Sequence, residues 1–275
     1  MVDRNIWLVR TSVLALLLLL VGTSCGAVDS GTQASRVLFV GNSLTYVGNT
    51  PAVYSALARA NGHAVSSDMI ARGGATLVER LNDGSVERAL ADGDYTVLVL
   101  QERGGDLMCS FGPDSCRDSR WAIGVFADLA REQGVKVVLM GTYQPLAPSS
   151  SRRLVQEEAV VAAETGILHV EVSETLGRLR EAEPDLKWFA EDDAHPGQDL
   201  ALLNALLLYR GLHGDFPPAD ALVVQAPIYG ATSGLDGALR GAEVPPPLRE
   251  TPRKIRYSAN RMGRLLSILG RTGEE

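Results

Sequence analysis

The chain has 275 residues, 45% of them hydrophobic, which is enough apolar surface for one large domain or two small ones. A formal net charge of −7 argues against a nucleic-acid surface. No P-loop, dinucleotide Gly-x-Gly-x-x-Gly or basic-aromatic cluster is present, and the four histidines have no Cys or His partner at ligand spacing, so no cofactor and no metal is expected.

The first 25 residues read as an export signal. Arg4 and Arg10 flank its start, and the apolar run 13–21 is too short to span a bilayer comfortably. Gly22-Thr23-Ser24-Cys25 resembles a bacterial lipoprotein cleavage site, with Gly22 where leucine is usual and Cys25 as the first mature residue to be lipidated. The alternative is an ordinary signal peptide with an incidental cysteine. Either way the expected location is the cell envelope: lipid-anchored in the membrane through Cys25, otherwise secreted or periplasmic. A Gly/Ser/Thr linker follows over 26–35.

From 36 to 215 apolar runs alternate with helical patterns, the composition of a single domain. Strands are expected at 36–40, 65–71, 95–101, 135–141 and 167–172. Helices are expected at 51–61, 77–91, 119–133, 149–165 and 198–212, with Trp121, Val125, Phe126 and Leu129 as a core-facing stripe of the third. This alternation predicts an α/β protein, a flavodoxin-like three-layer sandwich around a doubly wound, mostly parallel five-stranded sheet. In such sheets the functional crevice lies beyond the carboxyl ends of the strands. His63 and His169 read as packing residues, and His213 as a cation complementing a helix end.

Gly41-Asn42-Ser43-Leu44-Thr45 closes the first strand just before a helix, so Ser43 stands at a strand-to-helix turn near unpaired N–H groups. A serine nucleophile needs a base and a group to orient that base. Asp192-x-x-His195 supplies both: His195 takes the proton and Asp192 fixes its tautomer. Thr45 at the fifth position excludes the Gly-x-Ser-x-Gly elbow of the α/β-hydrolases. In an exported chain Cys109 and Cys116 are expected to form a disulfide across a polar loop at 104–118, and a metal-binding pair would lack further ligands.

The order of these motifs resembles the SGNH (GDSL-type) hydrolase family over residues 36–213. Gly41-Asn42-Ser43-Leu44 is similar to its first block, with Asn42 in place of Asp; Arg72-Gly73-Gly74-Ala75-Thr76 to its second; Asp192-x-x-His195 to its last. The resemblance implies an acyl-serine mechanism with the N–H groups of Ser43 and Gly74 in the oxyanion hole. The third block departs from the pattern: Leu100-Gln101-Glu102-Arg103-Gly104 stands where the family has Gly-x-Asn-Asp. Gln101 is expected to contribute either a side-chain donor to the oxyanion hole or a hydrogen bond holding the loop beside it, while a direct alignment sets Arg103 nearer the place of the asparagine. The implied substrates are small-acyl esters, including those of carbohydrates, or lipid esters and thioesters. Two other functions fit the same chain: a non-catalytic carbohydrate-binding surface lipoprotein, and an O-acyltransferase.

Residues 216–275 read as a C-terminal extension packed on the core. It carries an apolar run at 221–228, a Gly-rich stretch at 230–241 and the stiff Pro245-Pro246-Pro247. A basic amphipathic helix is expected at 254–269, packed on its own domain or lying on an anionic membrane.

Overall fold

Residues 34–144, 150–244 and 252–270 are described by the computed structural model. The export signal with Cys25, most of the linker, and Pro245-Pro246-Pro247 lie outside the described residues.

Five parallel strands run β1 (Ser35–Gly41), β2 (Val65–Ala71), β3 (Val97–Leu100), β4 (Lys136–Met140) and β5 (Leu168–Val170), in the spatial order β5-β4-β3-β1-β2. This is the doubly wound order read from the alternation of runs. The physical reason is visible in the strands themselves, where both faces are apolar. Val37, Phe39, Val97, Val99, Val138 and Met140 enter one core, with Tyr54 and Leu57 of α2 (Thr50–Ala60) and Leu203 and Leu206 of α8 (Gln198–His213). Leu38, Val40, Leu98, Leu100, Val137 and Leu139 enter the other. That second core is covered by α3 (Leu77–Asn82), α4 (Ser85–Asp92), α5 (Pro113–Glu132) and α6 (Ser151–Thr165). Three layers result.

The structure corrects several local expectations. The single helix expected at 77–91 is two, because Gly84 takes a left-handed φ of 64° and the Asp83 side chain accepts the Ser85 N–H at 2.8 Å. Helix α5 begins six residues early, so Cys116 is helical rather than in a loop. Its buried face is Ala122, Ile123, Phe126, Ala127 and Ala130, while Trp121 is 54% exposed. A further helix, α7 (Ser173–Ala182), follows β5. The short α1 (Ser43–Tyr46) precedes α2.

The C-terminal arm is more than a helix. It forms β6 (Leu222–Ala226), β7 (Arg240–Gly241), β8 (Arg253–Tyr257) and α9 (Ala259–Gly270). Strand β7 adds an antiparallel edge beside β2, making the main sheet six-stranded, and β6 pairs with β8 in a separate sheet. The stretch expected to be one basic helix is therefore strand and then helix. Ile255 and Tyr257 face inward while Lys254 and Arg256 alternate outward, the two-residue period of a half-buried strand. Leu222, Val224, Met262, Leu265 and Leu269 join the same core as α2 and α8, so the arm packs on the domain.

Candidate active site

Register sets the site. Gly41 pairs with Ala71 across β1 and β2, and Val40 with Leu100 across β1 and β3, so the three turns that follow lie side by side. The first turn carries Ser43 as the opening residue of α1, half-buried. Asn42 caps that helix: its Oδ1 accepts the Leu44 N–H at 3.0 Å, and its Nδ2 donates to the Ala75 carbonyl at 3.2 Å. The Ser43 N–H belongs to the first-turn groups that have no carbonyl partner within a helix. A side chain at Gly41 would drive a Cβ to 2.3 Å from Thr45 Oγ1, which explains the glycine at that position.

The second turn closes with the Ala75 N–H on the Arg72 carbonyl at 3.1 Å and requires a left-handed residue at Gly74, φ 68°. A Cβ at Gly74 would meet nothing within 4 Å, so this glycine faces open space.

The third turn carries Gln101 and Arg103. Gln101 is buried, with Oε1 accepting from Thr45 Oγ1 at 2.7 Å and Nε2 donating to the Gly141 carbonyl at 3.3 Å. Both ends of the amide are engaged in tying the serine turn to the end of β4. Arg103 is engaged as well: Nε and Nη2 reach Asp106 at 2.8 and 2.7 Å, and the guanidinium lies 4.4 Å from the centroid of the exposed Phe111 ring. Cys109 and Cys116 are joined by a disulfide that closes this loop onto the first turn of α5.

Asp192 and His195 stand on a tight loop before α8. The Ala190 N–H bonds the His195 carbonyl at 2.8 Å, and Tyr143 Oη donates to the Ala194 carbonyl at 3.0 Å. Asp192 Oδ2 lies 2.5 Å from His195 Nδ1, while Oδ1 accepts the N–H groups of His195 (2.9 Å) and Ala194 (3.1 Å). Partial burial works against the charge of Asp192, but the backbone and ring N–H of His195 and the Ala194 N–H outweigh it and hold the carboxyl down at about 2. With Nδ1 bound to an ionised carboxylate, Nε2 is the nitrogen left to accept a proton. The two loops meet at Gly48, where an added Cβ would lie 3.4 Å from the Pro196 carbonyl oxygen and 3.1 Å from Ala201 Cβ. Among the described residues no hydrogen bond joins Ser43 Oγ to His195; such bonds are commonly long in an enzyme without substrate. A groove of about 540 Å³, lined by Arg180, Leu186, Phe189 and Asp193 among others, borders the histidine loop.

The remaining histidines are elsewhere. His169 Nε2 sits 3.2 Å from the buried Glu158. His213 is no simple helix-end cation: it stacks on His63 at 3.9 Å between centroids, and burial, then His63 and Lys136, lower its affinity for a proton. Among the described residues no group of three or more His, Cys, Asp or Glu is placed to hold a metal ion. No described helix is long and apolar enough to cross a membrane.

No protein-family model and no curated protein matches the sequence. Solved structures do. A protein from Slackia heliotrinireducens assigned to the SGNH hydrolases is 27% identical, with a TM-score of 0.53 over 65% of this chain and 99% of that one. The acetylxylan esterase Axe2 from Geobacillus stearothermophilus is 16% identical, with a TM-score of 0.51 over 66% and 96%. The psychrotrophic esterase EstA from Pseudoalteromonas, inhibited by monoethylphosphonate, is 13% identical, with a TM-score of 0.52 over 66% and 97%.

Proposed function

Because this chain has the fold of the SGNH (GDSL-type) hydrolases, we propose that it is an exported ester hydrolase working through Ser43, His195 and Asp192. Ser43 Oγ attacks the ester carbonyl while His195 Nε2 takes its proton. Asp192 holds Nδ1–H and stabilises the imidazolium. The oxyanion receives hydrogen bonds from the N–H groups of Ser43 and Gly74. His195 then protonates the departing alcohol, leaving an acyl-serine. Water attacks that ester as His195 takes its proton, and His195 then returns the proton to the departing Ser43 oxygen, releasing the carboxylic acid and free Ser43. The observation that supports this reading is the Asp192–His195 pair, which occupies Nδ1 and whose loop comes close to the Ser43 turn at Gly48.

Of the two roles expected for Gln101, the brace between the serine turn and β4 is favoured, since Oε1 accepts from Thr45 Oγ1 and an Nε2 N–H donates to the Gly141 carbonyl. The acyl group proposed is small, on a carbohydrate alcohol, in line with the acetylxylan esterase among the structural relatives. Hydrolysis is favoured over acyl transfer because the side chains of His195 and Asp192 are 25% and 36% exposed, open to water. The Cys109–Cys116 disulfide supports an oxidising compartment and hence export through the signal at 1–25, with Cys25 as the lipid anchor. Residues 36–215 are proposed as the hydrolase domain, with 216–275 as its arm.

The test is turnover of p-nitrophenyl acetate together with labelling by a phosphonate ester. Rapid turnover and a single adduct on Ser43, lost in His195→Ala, are expected. A burst without turnover would identify a transferase, and silence with no adduct a binding protein.

A further inference from the structure

Glu102 is an acid buried beside the site and unused by the mechanism above. It is 2% exposed and follows β3 by two residues. Its carboxylate accepts four hydrogen bonds from three parts of the molecule: two from the Leu77 N–H, shared between its oxygens at 3.2 Å, one from the Arg103 N–H at 3.0 Å, and one from Ser119 Oγ at 2.6 Å. Leu77 opens α3 three residues after Gly74. The Gly74 segment is thus pinned on one side: Asn42 Nδ2 holds the Ala75 carbonyl and Glu102 holds the Leu77 N–H.

Among the described residues no cationic side chain hydrogen-bonds this carboxylate, and Arg103 attracts it only through space. On its own loop Arg103 is bidentate to Asp106, a second buried acid. On α3, Glu79 turns to the Thr76 N–H and Arg72, and Arg80 to Asp83. On α5, Arg117 pairs with Asp114 and Asp118, and Arg120 with Glu157 and Glu164. The hydrogen bonds to the carboxylate all come from neutral donors. The Leu77 and Arg103 N–H groups can only donate, whereas Ser119 Oγ can also accept; a proton on Oε2 would turn the Ser119 bond round and set an O–H against the Leu77 N–H, weakening the backbone bonds.

From this geometry we infer that Glu102, as the carboxylate, is a positioning residue that keeps the Gly74 N–H aimed at the oxyanion, so that activity requires two deprotonated groups, Glu102 and His195. The inference rests on the Ser43–His195 reading for its catalytic half. Burial, opposed by Ser119 and reinforced by the charge of Asp106, pushes the Glu102 carboxyl up to about 7, where its state changes within the working range of an exported protein.

Two measurements on the purified full chain test it. In the first, the Gly74 amide is followed by proton–nitrogen NMR across pH. Its shift is expected to titrate near neutrality in the wild type and in His195→Ala, and to stay flat in Glu102→Gln. A Gly74 amide indifferent to pH in the wild type, or one still titrating in Glu102→Gln, overturns the inference. In the second, the acid limb of kcat/KM on p-nitrophenyl acetate is expected to be steeper than first order in the wild type and first order in Glu102→Gln. That variant should also show kcat roughly 10- to 100-fold lower with KM within about twofold. Equal kcat and an unchanged limb would overturn it. Should Glu102→Gln not fold, the wild-type Gly74 titration and limb slope decide alone. Ser43→Ala with wild-type turnover would remove the esterase reading yet leave the Gly74 titration standing, so the two failures are distinguishable.

Discussion

The two ends of the parallel sheet use histidine in opposite ways. At the carboxyl end, His195 has one ring nitrogen on Asp192 and the other open. At the amino end, His63 precedes β2 and His213 ends α8, and the two rings stack. There His63 Nε2 meets Tyr209 Oη at 3.2 Å, and Tyr54 Oη meets His213 Nε2 at 3.3 Å. These rings have phenols and each other for partners, and among the described residues no carboxylate is hydrogen-bonded to them. Partners, rather than residue type, set the proposed base at one end apart from the packed aromatic cluster at the other.

That contrast breaks first at the proposed catalytic residues. Ser43→Ala and His195→Ala should each lower turnover on the order of 10³–10⁶-fold, with the double variant little worse than either. His63→Ala should leave kcat within about twofold if the protein folds. Steady-state kinetics on folded variants decides, and a collapse of kcat in His63→Ala would reverse the assignment of the two ends.

A smaller effect is expected at Asp192. Asp192→Asn keeps the shape and removes the charge that favours the imidazolium, so a loss of roughly 10²–10⁴-fold in kcat is expected. Wild-type kcat in that variant would show that the carboxylate is only a loop cap.

Gln101 sharpens the comparison by separating support from chemistry. Gln101→Ala leaves Thr45 Oγ1 and the Gly141 carbonyl unpaired, which should cost about 1–3 kcal/mol of stability in denaturant unfolding. Its kcat should fall much less than that of Ser43→Ala. A large drop in kcat with unchanged stability would restore it as an oxyanion donor.

The disulfide should stabilise the loop over the site by a similar amount, about 2–3 kcal/mol in the chain-entropy model. Thiol counting on unfolded, unreduced protein should find neither Cys109 nor Cys116 free, and two reactive thiols there would refute the bridge.

At the amino end the effect is on stability alone. The folded His213 binds its proton less readily than the ordinary value near 6.5, so the unfolded chain takes up more protons below that pH. Its contribution is complete above about pH 6.5 and is lost as pH falls below it. Melting temperatures of wild type and His213→Gln should therefore converge on acidification from pH 7 to 5. A gap that widens instead would mean that the charged form is favoured in the fold.

Much of this protein is written locally. The strands of the sheet declare themselves as short apolar runs because both faces of a parallel strand are covered. Ser43 is legible because a Gly-Asn-Ser turn directly after such a run can lie only at the carboxyl edge. The Asp192–His195 pair is legible because three residues separate its members and a single tight loop closes the bond. What depended on distant residues was hidden. The amide of Gln101 looks free in sequence, and only its neighbours Thr45 and Gly141, 56 and 40 residues away, reveal that it is occupied. Glu102 reads as one more solvated acid until α3 and α5 close over it. The C-terminal arm was the least legible part, because its partners come from across the chain. Asn49 Nδ2 reaches the carbonyls of Pro227 and Ala242, Tyr257 Oη donates to the Gln198 carbonyl, and isolated β-bridges pair Val47 with Tyr229 and Arg72 with Asp236. Hydrophobic period and turn chemistry are properties of neighbours in sequence, whereas the satisfaction of a buried polar group depends on which segments the fold brings to it.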